Sequence, residues 1–313
     1  MNKTFYILFF VWASILCDAQ VNLVTNPSFE DTLYCPLGAD IYSCQGWTTP
    51  TDATPDYFNP CANTINYGAP FNGFGYEFAH SGSSYAGFVP YTGGVVINGS
   101  SYREYIQNKL LSTLESSSLY KVSFYVSLGD SGIYASNNIG VYFSNTNFYY
   151  SNVGNLPFIP SCNENDIITK NAGWQFVEYY YLASGNENYI TIGNFYNDSF
   201  TSSSLITGNN HNDPYYYIDD VSVEKTDLVL PNIFTPNNDG INDEWIMGSL
   251  SANIQIQIYN QWGRLVSSGV ALDYSWDGRN IAGVECADGV YYYIVSFKDK
   301  AGIVSKGFIQ LIR

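Results

Sequence analysis

Few residues in this chain are placed to make or break bonds, and those that come nearest are oxygen donors. Gly129-Asp130-Ser131 offers a serine hydroxyl beside an acid, but a serine nucleophile needs an imidazole base, usually supplied by a late Asp-x-x-His. The chain holds two histidines, His80 and His211, and neither stands in that context. Glycoside hydrolysis needs two facing carboxylates. The 28 acidic residues supply many candidates, yet no spacing singles out a pair. Zinc is disfavoured because no Cys-x-x-Cys spacing occurs. Asn237, Asp239 and Asp243 are oxygen ligands grouped around Gly240. Thr235 and Ile246 fall where an EF-hand loop needs its first and twelfth ligands, so a turn is the better reading.

The elements that would hold such residues are strands. Aromatics make up 17% of the 313 residues and include 29 Tyr, while charged residues make up only 13%. Tyr, Thr and Val favour pleated structure, and Asn-Gly punctuation favours tight turns. Tyr120 to Leu128 alternates, with Val122, Phe124 and Val126 on one side and Lys121, Ser123 and Tyr125 on the other. Ile139 to Phe143, Trp174 to Leu182, Tyr189 to Ile192 and Tyr217 to Val223 read as further strands. Arg103 to Leu119 also fits a helical stripe, and its first half is assigned to a strand that ends before a turn at Ser116-Ser117-Ser118. Later, Ile254 to Tyr259, Val290 to Phe297 and Ile303 to Ile312 repeat the pattern. Short strands without crossover helices imply an all-β chain: a jelly-roll β-sandwich over 20–226, then a small immunoglobulin-like sandwich over 227–313.

The net charge is −16, and 18 acidic against 5 basic residues fall between Gln20 and Thr226. A surface so poor in Lys and Arg cannot neutralise phosphates, so nucleic acid and anionic lipid are excluded as partners. A neutral glycan or a divalent cation suits the balance better, as does acidity serving solubility alone. Lys3, the apolar stretch Phe5 to Leu16 and the small Ala19 describe a signal peptide over 1–19, with cleavage before Gln20. No later segment reaches the ~20 apolar residues of a transmembrane helix. Export exposes Cys35, Cys44, Cys61, Cys162 and Cys286 to oxidation. Cys35–Cys44 is the natural local pair and leaves Cys61–Cys162; it is one of three pairings open to those four, and Cys286 stays free.

The C-terminal block carries five motifs in order: Pro231-Asn232-Ile233-Phe234-Thr235-Pro236-Asn237-Asn238-Asp239-Gly240-Ile241-Asn242-Asp243; Ile258-Tyr259-Asn260-Gln261-Trp262-Gly263-Arg264; Trp276-Asp277-Gly278; Gly289-Val290-Tyr291-Tyr292-Tyr293; and the terminal Lys306-Gly307-Phe308. In order and spacing this resembles the gliding-motility-associated C-terminal domain, the type B sorting signal of the type IX secretion system. The resemblance implies delivery across the outer membrane by that machinery, to the cell surface or the medium. The implied sorting residues are Phe234, Thr235, Pro236, Asn237, Asp239, Gly240, Asn242, Asp243, Trp262, Gly263, Trp276, Asp277 and Gly278.

Asn26-Pro27-Ser28-Phe29-Glu30 and Tyr217-Ile218-Asp219-Asp220-Val221 resemble the first and last strands of jelly-roll, galactose-binding-like carbohydrate-binding modules. In that family these strands are neighbours, and carboxylates on them help to hold a structural calcium ion. The resemblance implies Glu30, Asp219 and Asp220 as calcium ligands, and no other cofactor is expected. Sugar binding would use exposed aromatics that stack on pyranose faces. Trp47, Tyr57, Tyr85, Tyr102 and Trp174 are the candidates, each weighed against an ordinary place in the core. The expectation is a non-enzymatic, adhesin-like surface protein that binds a glycan or another surface ligand. A polysaccharide hydrolase and a purely structural coat protein are the alternatives. A hydrolase should show a cleft with paired carboxylates, and a binding module should show aromatics on one exposed sheet face.

Overall fold

In the computed structural model the described residues are 21–92, 96–97, 100–206, 213–226, 230–246, 254–270, 274–297 and 303–313. The expected signal peptide and His211 lie outside them. The N-terminal sandwich contains β1 (Trp47–Thr48), β2 (Asp56–Phe58), β3 (Tyr85–Phe88), β4 (Tyr105–Lys109) and β5 (Leu119–Leu128). It continues with β6 (Ile139–Ser144), β7 (Cys162–Glu164), β8 (Gln175–Leu182), β9 (Tyr189–Gly193) and β10 (Tyr216–Thr226). These strands form two five-stranded antiparallel sheets, ordered β1-β4-β9-β6-β7 and β8-β5-β10-β3-β2.

The alternation along β5 decides which way each sheet faces. Val122, Phe124 and Val126 are fully buried and meet Val177, Ile190, Ile192, Tyr216 and Ile218 in one core between the sheets. Their neighbours Lys121 and Tyr125 point to the opposite face and stay partly exposed. The ambiguous Arg103 to Leu119 segment resolves into β4 and a turn in which Ser117 takes a φ of +63°. The N-terminal segment runs beside β10, as the motif resemblance implies. Leu23 N–H donates to Val223 O at 2.9 Å, and Val221 N–H donates to Pro27 O at 2.9 Å.

The C-terminal sandwich contains β11 (Ile233–Phe234), β12 (Trp245–Ile246), β13 (Ile254–Asn260), β14 (Leu265–Val270), β15 (Ser275–Trp276), β16 (Gly289–Phe297) and β17 (Ile303–Leu311). The main sheet is ordered β11-β17-β16-β13-β14, and the β12–β15 ladder forms the smaller layer. Trp245, Trp276, Ile256, Ile258 and Val295 fill its core. Leu119 and Leu182 of the N-terminal sandwich join the same apolar cluster. Among the described residues no strand ladder links the two sandwiches. No helix among them is long and apolar enough to cross a membrane.

The expected cysteine pairing is corrected. The bond joins Cys35 to Cys61, with Cα atoms 5.5 Å apart. Cys44 is turned into the sandwich core, where Asn26 Nδ2 donates to its Sγ at 3.2 Å. Cys162 is buried on β7, so neither thiol faces the loop that carries Cys35, and Cys286 is also free.

Candidate functional site

Phe176 on β8, Tyr125 on β5 and Asp219 on β10 are direct cross-strand partners. Directly opposed residues share a face, so these three sit side by side on the outer side of their sheet. The Phe176 and Tyr125 rings are 5.0 Å apart. The His80 imidazole lies on the Tyr125 ring, with centroids 3.4 Å apart and planes 17° from parallel. Trp174 meets His80 edge-on at 6.2 Å. The Trp174 indole N–H donates to Phe78 O at 2.8 Å, and Phe78 packs edge-on against Tyr76 at 5.3 Å. Phe176, Phe78 and Tyr76 are 47%, 63% and 51% exposed, which makes this run of rings a solvent-facing aromatic shelf.

A clamp of carboxylates sets the height of that shelf. Glu30 Oε1 accepts from the N–H groups of Ser83 and Ser84 at 2.8 and 2.7 Å. Asp219 Oδ2 accepts from the N–H groups of His80 and Ser81 at 2.8 and 3.2 Å. Asp220 accepts from Ser81 Oγ at 2.6 Å and from His80 Nδ1 at 2.5 Å. Asp220 can reach the imidazole because the β10 register slips between Asp219 and Ser222, and Asp220 takes a φ of +48°. Such a bulge re-aims a side chain that would otherwise follow the pleat. Gly82 lies against Glu30, where a Cβ would come within 2.4 Å of the carboxyl carbon. Glu30, Asp219 and Asp220, the calcium ligands that the jelly-roll resemblance implies, thus converge on the loop 80–84. Burial, and then the charge of Asp220, push the Asp219 carboxyl up to about 8. Among the described residues no three His, Cys, Asp or Glu side chains gather into a metal-holding group. Carboxylates alone do not make a centre here, and a cation would need backbone carbonyls as well.

Of the five aromatic candidates, Trp174 alone joins the shelf. Trp47, Tyr57 and Tyr85 are at most 1% exposed, and a ring without a free face cannot stack on a sugar. Trp47 packs on Phe29 at 4.6 Å and its indole N–H donates to Asn26 O. The Tyr57 hydroxyl donates to Phe29 O at 2.8 Å, and the Tyr85 hydroxyl to Glu77 O at 2.9 Å. The Tyr102 hydroxyl donates to Glu104 Oε1 at 2.6 Å. Sequence reasoning missed Tyr125, Phe176, His80, Phe78 and Tyr76. The outward position of Tyr125 in the alternation of β5 was the signal that could have found the first of them.

A pair of carboxyls does lie close enough to interact, but it is sealed. Asp56 and Glu104 are each 4% exposed, so no polysaccharide reaches them. The Tyr215 hydroxyl donates to Asp56 Oδ2 at 2.5 Å, and Val89 N–H donates to Glu104 Oε2 at 2.7 Å. Burial pushes Asp56 up to about 7; burial and the charge of Asp56 push Glu104 well above its usual value.

The sorting residues divide between core and surface. Phe234 and Trp276 are buried with rings 5.2 Å apart. Asp243 caps the Asn237 to Asp243 turn by accepting from Asn238 N–H at 2.6 Å and Gly240 N–H at 2.8 Å. Thr235 N–H donates to Asn242 O at 2.8 Å, and Asn237 Oδ1 accepts from Asp239 N–H at 3.0 Å. Gly278 has a φ of +79° and lies where a Cβ would meet Leu311 at 2.9 Å and Pro236 at 3.2 Å, and Asp277 Oδ1 accepts from Arg279 N–H. Gly263 takes a φ of +74° at the β13–β14 turn, where Trp262 is 81% exposed.

Solved structures that resemble the chain include a xylan-binding domain of Xyn10C from Paenibacillus barcinonensis, at 13% identity over 63% of this chain and 90% of that one, with a TM-score of 0.32. Another is the N-terminal cellulose-binding domain of a β-1,4-glucanase from Cellulomonas fimi, at 12% identity, 62% and 98% coverage, and a TM-score of 0.30. A third is a cleaved adhesin domain of Lys-gingipain from Porphyromonas gingivalis, at 17% identity, 58% and 92% coverage, and a TM-score of 0.32. At such scores their binding properties remain theirs alone. No curated protein matches the sequence. Over residues 228–311 the chain matches the CHU_C Type IX secretion signal domain, the family to which this C-terminal segment belongs.

Proposed function

We propose that the protein is a non-catalytic, adhesin-like binding protein, exported through its C-terminal signal, that holds a glycan on the aromatic shelf of its N-terminal sandwich. A type IX secretion signal implies export to the cell surface or the extracellular space. The secretion machinery is therefore its first partner. The observation that carries the binding half is the run Phe176–Tyr125–His80–Trp174 on a single sheet face, in which Phe176 and the His80 ring that covers Tyr125 are exposed and Tyr125 and Trp174 are half-buried. Flat apolar rings beside carboxylates and amides are the surface a pyranose needs, with stacking below and hydrogen bonds at the rim.

The acidity of the sandwich favours a neutral or amino sugar over a uronic acid, which the surrounding carboxylates would repel. Calcium belongs to the same proposal. Glu30, Asp219 and Asp220 would ligate it, and the ion would relieve the repulsion between the adjacent acids on β10. The hydrolase alternative is disfavoured by the sealing of Asp56 and Glu104. The test is a glycan array probed with the mature chain and with Tyr125→Ala. Binding to neutral polysaccharides that Tyr125→Ala weakens by about tenfold supports the reading, and no binding to any glycan overturns it.

A further inference from the structure

The family match says that the C-terminal sandwich is read, and its geometry says where. β14 (Leu265–Val270) is the free edge of the main sheet; among the described residues it pairs only with β13. A free edge presents a row of N–H and C=O groups that only another extended backbone satisfies fully. Proteins ordinarily blunt such edges with charge, proline or shortness. The opposite edge, β11, has only two residues, and β8, an edge of the N-terminal sandwich, carries Glu178 in its middle. The six residues of β14, Leu265, Val266, Ser267, Ser268, Gly269 and Val270, carry no charge and no proline; Arg264 and a register slip opposite Leu265 guard only its start. Tyr274 covers one face of it, with its ring where a Gly269 Cβ would sit and its hydroxyl 2.6 Å from Ser267 Oγ, and leaves the edge open.

A cleft of about 670 Å³ opens where this edge begins. Trp262 and Ile281 line it at 81% and 70% exposure, Val290, Arg264 and Asp288 join them, and Val266, Cys286 and Tyr291 are its buried members. The side-chain oxygens that shape its turns are already used. Asn260 Oδ1 accepts from Trp262 and Arg264 N–H, and Asn280 Oδ1 accepts from Ala282 and Val284 N–H. The exposed faces of Trp262 and Ile281 offer an apolar side chain a seat, while Arg264 and Asp288 keep the rest of the cleft polar.

We infer that an extended segment of the secretion apparatus adds to β14 as a sixth strand and seats an apolar side chain in the cleft between Trp262 and Ile281. The inference rests on the sorting reading of residues 228–311. A second copy of the chain is the alternative occupant, and a dependence on protein concentration alone would reveal it.

The test uses the full mature protein and twelve-residue peptides tiled across the periplasmic and outer-membrane components of the apparatus. Amide hydrogen exchange should slow at alternate residues within 265–270 with at least one peptide, since only every other N–H points outward from an edge strand. Trp262→Ala and Ser268→Lys should weaken that peptide by about tenfold or more. Both variants should also lower export from the producing cell while the melting temperature is unchanged. No slowed amides with any peptide, slowing that depends only on protein concentration, or normal export of both variants would each overturn the inference. A chain truncated after Lys225 separates the two readings. If it is still exported, the sorting reading fails; if it is retained while both variants are exported, only the docking surface fails.

Discussion

The imidazole of His80 rests on the ring of Tyr125 at 3.4 Å because Asp219 and Asp220 hold the His80 loop down by its backbone and by Nδ1. The acids that the jelly-roll resemblance implies for a metal therefore also fix the flatness of the shelf. Tyr125→Ala and Phe176→Ala should each lower glycan affinity by about tenfold, consistent with 1–3 kcal/mol for a lost stacking platform. Both side chains are partly exposed, so the melting temperature should move little. Trp47→Ala should do the reverse: a buried ring packed on Phe29 is lost, and stability should fall by about 3–5 kcal/mol. Glycan titration and thermal melts on the three variants check this, and equal binding losses without destabilisation would place Trp47 in the site.

The strand framework was legible because β5 and β13 alternate without interruption, and burial on one face leaves a single register. The meeting of the Asn26 and Asp219 segments was legible through the motif resemblance. The shelf was not. Trp47, Tyr57 and Tyr85 have the same composition signal as Tyr125 and Phe176, and only three-dimensional burial separates them. His80 was read as a failed catalytic base, since nothing local announces a ring laid flat by acids 139 and 140 residues away. The cysteine pairing failed for a similar reason. Closeness in sequence favoured Cys44, but Cys44 belongs to the core beside Phe29 and Trp47, and its place opposite Cys35 is taken by Cys61.

Peptide mapping of the non-reduced protein should recover Cys35 linked to Cys61. Cys44, Cys162 and Cys286 should react with an alkylating agent only after denaturation, because all three are buried. Replacing Cys35 and Cys61 by Ser should cost about 2–4 kcal/mol, since the bond closes a loop across a sequence separation of 26. The loop between Cys61 and Ser84 leads into the shelf, so the same variant should also weaken glycan binding. A Cys35–Cys44 linked peptide would overturn the assignment.

Calcium in millimolar excess should raise the melting temperature by a few degrees relative to a chelator, through binding to the folded state alone. Glu30→Gln and Asp219→Asn should remove the response, because each deletes a charge at the 80–84 loop while keeping an acceptor for its N–H donors. Differential scanning fluorimetry with calcium, magnesium and chelator checks this. An identical melt in all three would mean that the acids clamp the loop without a metal.

Asp56 and Glu104 make a separate statement about pH. A carboxyl raised from 3.8 to about 7 holds, in the folded protein, a proton that the unfolded chain has already released. The Asp56 contribution is therefore fully present at and below the unfolded value and falls as pH rises through the interval from about 4 to about 7, at about 1.4 kcal/mol per pH unit, and Glu104, also raised, adds a loss of the same sign. Above that interval the full cost of a buried charge is present. Asp56→Asn removes the titrating group but keeps an oxygen for the Tyr215 hydroxyl. The variant should melt several degrees higher than the natural chain at pH 8, and the advantage should shrink steadily to nothing near pH 4. Asp219, raised to about 8, keeps a remaining slope in both proteins when calcium is withheld. Melting curves between pH 4 and 9 decide the matter. If Asp56→Asn lowers stability equally at every pH, the carboxyl is ionised in the fold and its charge is compensated.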